Sequence, residues 1–312
     1  MAQQIPAAAP AEPKPTANPL RNPNLPTDPK LLRQTIQPAP SPARLRELYS
    51  TPDPQTLPSV LSLYSGNQAN NSTTVGTPSP DPNNVLLVVP TANASKTNLF
   101  VSYLHATKPA HITCLMHRQI PAESGVGEQP YDCAGPRGAI NRAVRAVRAL
   151  LADESHRAAV VGTGVGTLLL CVIENFIARE SVDGTGTKDG EDVKLMPVDY
   201  GFIVLCRVSL LDGTWTWEVG ISRGTTLPRE YWQAAEKFGF EDGEARTYGK
   251  VTVGELLQAN IGLDKADWNK PLAGVSRYEL LEEALRNIKV PWPEVATGAR
   301  DASTAPATRA TE

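Results

Sequence analysis

The apolar residues of this chain recur at spacings that predict where it folds. Val85-Leu86-Leu87-Val88-Val89 is a short β-branched run with turn residues on both sides, the pattern of a buried strand. Pro90 ends it, and residues 94–105 have the composition of a following helix. Residues 112–116 form a second strand candidate. Across 139–152, Ile140, Ala143, Val144, Val147, Leu150 and Leu151 recur at helical spacing and predict a helix with one face on a sheet. Residues 158–161 and 168–177 read as strand segments around the glycine-rich turn 162–166. Segments 202–208 and 214–219 predict a hairpin about Leu211-Asp212-Gly213, with Trp215, Trp217 and Val219 alternating onto one face. Helices are expected over 228–238 and 253–259. A last one starts at Ser276, where Ser-Arg-Tyr-Glu279 has the form of a capping box. Strands alternating with helices imply an α/β fold, a layered mixed sheet with flanking helices.

The pattern fades at both ends. Most of the 28 prolines precede Pro82, interleaved with Ala, Asn, Gln, Ser and Thr. Such a stretch offers little apolar surface against the entropy of ordering, so residues 1–83 are expected to be a disordered, proline-rich tail. Within it, Leu31, Leu32 and 44–48 have slight helical character, and Pro10 to Pro13 resembles a polyproline ligand. Residues 294–312 are expected to be disordered too. That leaves 84–293, with a polar excursion at 184–192, as one domain of ordinary size.

Composition excludes some function classes. The formal net charge is -3 with Arg and Glu mixed, which gives no global field for nucleic acid. Cys114, Cys133, Cys171 and Cys206 are widely spaced and contain no CxxC pair, so buried reduced thiols are expected. The N-terminus lacks a signal-peptide pattern. The longest apolar run, 168–177, is short and carries Glu174 and Asn175, so no transmembrane segment is expected. A soluble, cytoplasmic protein is the expectation.

Three stretches carry candidate chemistry. Thr91, Asn93 and Lys96 join the first strand to a helix, where unpaired backbone N–H groups and the helix dipole favour phosphate. Asn93 suits a cap and Lys96 adds a point charge. Ser124 to Pro130 is followed by Gly138-Ala-Ile-Asn141-Arg142, read as a helix start whose glycine permits close backbone approach. Arg142 can fork onto phosphate oxygens, whereas Arg145 and Arg148 suit a solvated face. Glu174 lies in an apolar run, where a carboxylate is costly unless it is paired or metal-bound. It suits either a Mg²⁺ ligand at a strand end or an ion pair with a core cation. Residues 162–166 lack a Walker ending, and the four histidines lack metal spacing.

In this order the motifs resemble the inosine/xanthosine triphosphatase family of non-canonical purine nucleoside triphosphatases. The resemblance runs through Thr91-x-Asn93-x-x-Lys96, Ser124-Gly-Val-x-x-Gln129-Pro130, Gly138 to Ala143, Ile173-Glu174 and Gly274-Val-Ser-Arg277. It implies an inosine-triphosphatase-like fold and a purine nucleoside triphosphate such as ITP or XTP as substrate. It also implies substrate contacts from Thr91, Asn93, Lys96, Ser124, Gln129, Asn141, Arg142 and Arg277, with Mg²⁺ on Glu174. Asp199 is the candidate for activating water, against a plain role in capping or turn formation.

The chain is also similar to the eukaryotic proline-rich coiled-coil protein 1 family. That similarity lies in Glu174 to Ala178, Thr225-Thr-Leu-Pro-Arg-Glu230, Val251 to Leu256 and Asp267-Trp268, and in its proline-rich tail. It implies Golgi-associated trafficking, binding of the protein kinase A regulatory subunit, and a homodimer.

Two departures from the triphosphatase pattern stand out. Asn175 and Phe176 replace two glycines, with Phe176 expected to close space a nucleotide needs. No Lys-Gln-Gly-Gly stretch occurs in 267–273. Two readings follow. One is a phosphatase-fold protein with little or no catalysis, acting in regulation or trafficking; the other is a Mg²⁺-dependent hydrolase of non-canonical purine triphosphates.

Overall fold

Residues 165–178 are apolar at almost every position because both faces of their strand are covered. In the structure, a computed structural model that describes residues 18–65, 78–181 and 195–294, this strand is β5 (Val165–Ser181). It pairs antiparallel with β6 (Leu195–Ser209) in unbroken register from Thr167↔Ser209 to Ser181↔Leu195. Leu168, Leu170, Val172 and Phe176 enter one core, and Leu169, Cys171 and Ile173 enter the other. This two-residue alternation is the pleat of a strand.

The remaining strands assemble on this pair. β2 (Asp81–Val89) lies parallel to β5, with β3 (Cys114–Gln119) parallel beyond it. On the other side, β6 pairs with β7 (Trp215–Ile221) along one half and with β8 (Gly224–Thr226) along the other. β1 (Ile36–Gln37) pairs with β8, completing a seven-stranded mixed sheet. A separate ribbon joins β4 (Gln129–Pro130) to β9 (Tyr248–Gly249).

Helices cover both faces, as the α/β reading requires. α4 (Ala134–Ala152) and α5 (Glu154–Gly162) pack on one face; α3 (Ala94–Ala106) and α9 (Arg277–Arg286) pack on the other. A third apolar cluster gathers α6 (Arg229–Lys237), α7 (Val253–Ile261) and α8 (Asn269–Ala273) around Ile177. Among the described residues no helix is long and apolar enough to cross a membrane.

Several expectations need correction. Residues 158–161 are helical, not extended: Asp153 caps α5 by accepting from His156 N, and Val160 and Val161 form its buried side. α4 begins at Ala134, so Gly138 and Arg142 sit in its second and third turns and not at its start. Gly138 does permit a close approach, since a Cβ there would lie 2.6 Å from Val126 Cγ2. All four thiols are free, but Cys171 and Cys206 are buried while Cys133 is exposed.

The largest correction concerns the tail. Residues 18–65, with 78–83, are packed on the domain rather than disordered. Leu25 and Leu32 enter the third cluster. β1 adds to the sheet edge, and Gln34 N donates to Leu272 O at 2.9 Å. Tyr231 Oη donates to Pro26 O at 2.9 Å. α1 (Pro42–Leu48) and α2 (Ser62–Ser65) follow, and Leu48, Val60 and Leu63 join the core against α4. The strap therefore crosses the molecule from α8 to α5. Low average hydrophobicity concealed five apolar side chains that are buried in two of the domain's clusters. The Pro10 to Pro13 piece, the 184–192 excursion and residues 295–312 lie outside the described residues.

A neighbouring pair tests whether the strap belongs to the fold. Leu32 is 2% exposed and Leu31 is 77% exposed. Leu32→Ala is expected to lower unfolding stability by about 2–4 kcal/mol, while Leu31→Ala stays within about 0.5 kcal/mol of the parent. Denaturant melts of the full chain measure both; equal, small effects would mean that the strap is not part of the folded unit.

Candidate functional site

β5 outruns its parallel neighbour. The β2–β5 ladder ends at Val88↔Leu170, and the next backbone pairing is the isolated bridge Tyr131↔Ile177. Between them the edge of β5 is open, at the carboxyl end of β2, where ligands collect in open α/β sheets. A cleft of about 310 Å³ lies there. Its walls include Asn93, Lys96, Gln129, Arg142, Glu174, Asn175, Asp199, Trp268 and Arg277.

Each side chain arrives from a different element. Lys96, in the first turn of α3, sends Nζ to Ile173 O at 3.0 Å, satisfying a carbonyl on the open edge. Arg142, from α4, donates Nε–H to Glu174 Oε2 at 2.7 Å and Nη1–H to Ala122 O at 2.5 Å. Arg277, the first residue of α9, donates from Nη2 to Asp199 Oδ2 at 2.8 Å. Asp267 fixes that helix start: Oδ1 accepts from Arg277 N and Oδ2 from Ser276 Oγ, both at 2.7 Å. The Arg277 guanidinium also lies 5.8 Å from the centre of the Trp268 ring.

The cleft thus holds two ion pairs and one further cation. Glu174 is 6% exposed and Asp199 is 7% exposed. Of the two uses open to Glu174, the ion pair with a core cation is formed. Its Oε1 has no hydrogen-bond partner among the described residues, as is true of Asp199 Oδ1. Two buried donors are also unpartnered among the described residues, Asn175 Nδ2 and Arg277 Nε. Burial of the Lys96 ammonium lowers its pKa to about 8. Glu174 and Asp199 oppose that shift, while Arg277 and Arg142 reinforce it.

The remaining candidates act behind the wall. Thr91 Oγ1 accepts from Asn93 N at 3.1 Å, and Asn93 Oδ1 accepts from Lys96 N at 3.0 Å, so both shape the turn. Asn93 still borders the cleft; Thr91 does not. Asn141 Nδ2 donates to Ser124 O at 2.8 Å, bracing the loop ahead of β4, and neither residue lines the cleft. Arg145 reaches Glu123 O and Arg148 reaches Thr56 O, outside the site as expected.

Phe176 does not close the cleft. It is fully buried in the core against α4, where Gly135 makes room: a Cβ there would lie 2.3 Å from the ring. Trp268, Glu255 and Lys265 form the far wall. In sequence, Asp267-Trp268 stood out only through the resemblance to the proline-rich family, and its contact with the capping Ser276 is made by the fold. Glu255 is the acidic member of the Thr252 capping box of α7, and Lys265 looks like any solvated loop residue in sequence.

No protein-family profile matches the chain, and no curated protein matches it. Among solved structures, it is similar to the crystal structure of protein VC0702 from Vibrio cholerae, at 14% identity and a TM-score of 0.39, over 64% of this chain and 90% of that one.

Lys96 gives the site a pH signature. Its folded pKa of about 8 lies below its ordinary 10.5, so between these values the unfolded chain binds the extra proton. The contribution of Lys96 to stability is therefore lowest below pH 8 and rises toward pH 10.5. The unfolding free energy of the parent relative to Lys96→Met is expected to increase across that window. Denaturant melts at successive pH values measure it, and a flat difference would show that the ammonium is not held in a desolvated site.

Proposed function

We propose that this cleft binds the polyphosphate of a non-canonical purine nucleoside triphosphate together with Mg²⁺, in a chain of the inosine/xanthosine triphosphatase type with weak or no hydrolysis. The observation that carries the reading is convergence. Lys96, Arg142 and Arg277, with Glu174 and Asp199, come from five separate segments to one cleft beside an open strand edge.

Three cations suit a polyphosphate, and guanidinium forks can turn from carboxylate to phosphate oxygens of matching geometry. The donor set also suits the metal. Two carboxylates supply hard oxygens, and Mg²⁺ is usually held by one or two carboxylates plus substrate phosphates. Glu174 and Asp199 are the residues that would hold it, and when bound it neutralises charge on the phosphate oxygens. Asn175 and Arg277 add buried N–H donors that lack acceptors among the described residues, which favours an acceptor-rich ligand.

Weak catalysis follows from the same contacts. Phosphoryl transfer depends on positioning the attacking water. While Arg277 stays on Asp199, one carboxylate oxygen is a poor proton acceptor, and the other is the one that would serve Mg²⁺. The hydrolase reading is favoured by one observation, that Phe176 turns out of the cleft. A regulatory role with the protein kinase A regulatory subunit as partner rests on the sequence resemblance.

The test uses the full chain with ITP, XTP, GTP and ATP, with and without Mg²⁺, reading both binding and phosphate release. Mg²⁺-dependent binding of ITP or XTP is expected, weakened at least about tenfold by Glu174→Gln, with little phosphate release. Absence of binding to all four nucleotides would overturn the proposal. Rapid release abolished by Glu174→Gln would replace it with the hydrolase reading.

A further inference from the structure

A second concavity, of about 430 Å³, opens between the strap and the start of α4. Arg46, Tyr49, Thr51, Pro52 and Arg137 are among its walls. Thr51 is exposed and outside any helix or strand, and it stands directly before Pro52. A following proline disfavours the helical region and holds Thr51 in extended backbone, the form in which a protein kinase takes up its substrate segment. The hydroxyl of Thr51 has no hydrogen-bond partner among the described residues. Ser41-Pro42 and Ser79-Pro80 are the other dipeptides of this kind among the described residues, but Ser41 Oγ is engaged as a helix cap, accepting from Arg44 N at 3.2 Å, and Ser79 lies outside this cavity.

The charges around Thr51 are unevenly satisfied. Glu47 is paired with Arg44 at 3.0 Å. Asp53 accepts from Gln55 N at 2.9 Å. Arg46 has no carboxylate partner among the described residues, and Arg137 meets only the hydroxyl and ring of Tyr248. Glu47 and Asp53 also line this cavity, each already engaged, whereas its two guanidinium groups have no carboxylate partner among the described residues and lie beside the positive end of a 19-residue helix.

We propose that Thr51 is a phosphorylation site for a proline-directed Ser/Thr protein kinase, and that Arg46 and Arg137 hold the phosphate, fastening the strap to the start of α4. In the transfer, Thr51 Oγ1 bonds to the γ-phosphorus of ATP and the bond from that phosphorus to the β–γ bridging oxygen breaks. ADP leaves, and the hydroxyl proton passes to the catalytic base of the kinase. The product carries about -1.5 to -2 charge and three strong acceptor oxygens, which suit two guanidinium forks. Thr51→Glu would supply less charge and a different geometry, so it is a poor substitute for the phosphate.

The experiment treats the full chain with a proline-directed kinase and ATP. It maps phosphate by mass spectrometry and follows hydrogen exchange over residues 42–56. Phosphate is expected on Thr51, lost in Thr51→Ala and reduced at least tenfold in Pro52→Ala. Exchange is expected to slow at least fivefold on phosphorylation. Arg46→Gln and Arg137→Gln, singly, should retain incorporation but lose the slowing. No phosphate on Thr51, or incorporation unaffected by Pro52→Ala, would overturn the modification site. Phosphate on Thr51 with unchanged exchange would overturn the clamp.

Discussion

The open edge of β5 is the constraint on which the rest of the site depends. A strand buried on both faces cannot leave its backbone polar groups without partners. β2 supplies those partners only as far as Leu170, and Tyr131 resumes the pairing at Ile177. Between them, from Cys171 to Phe176, no strand among the described residues pairs with that edge. Lys96 takes the carbonyl of Ile173, which brings a cation into the middle of the sheet edge. The two carboxylates and the two arginines are arranged around that point.

Charge balance then sets the character of the cleft. Burying Glu174 and Asp199 unpaired would be costly, and each is matched by an arginine from a different helix. The pairs join α4 to β5 and α9 to β6, so they tie both helical layers to the sheet as well as lining the cleft. Lys96 has no carboxylate in direct contact and lies near both arginines. Its lowered pKa follows mainly from burial, with Glu174 opposing the shift and the two arginines reinforcing it. A polyanion entering the cleft would relieve the repulsion among these three cations, which is the physical sense of the proposed ligand.

The strap changes where the folded unit begins. An expected boundary at residue 84 would cut away Leu25, Leu32, Leu48, Val60 and Leu63 from their clusters. It would also strip β8 of its outer partner β1. Through Gln34 and Leu272 the strap is bonded to α8, next to the Asp267-Trp268 wall of the cleft. It also borders the start of α4, the helix that carries Arg142. Fold and cleft therefore share one scaffold that includes the proline-rich segment.

Local pattern was enough for β2, the β6–β7 hairpin and the capping box of α9, and it pointed to Lys96, Arg142 and Glu174, because each depends on period, capping or the cost of a polar group in an apolar run; Asp199 and Arg277 entered only with the family resemblance. Other features depend on partners distant in sequence. Whether Glu174 meets a cation was set by the position of α4. Whether Phe176 blocks the cleft was set by the room at Gly135. Whether 158–161 is helix or strand was set by a cap at Asp153 and by what Val160 packs against. The strap shows the same limit: its apolar residues are too sparse to form a periodic pattern, and only the recesses on the finished domain give each a place to be buried. The sequence by itself determined which elements form and which polar residues are costly to bury; the tertiary structure decided which of them meet, because ion pairing and close packing depend on distances that no local period encodes.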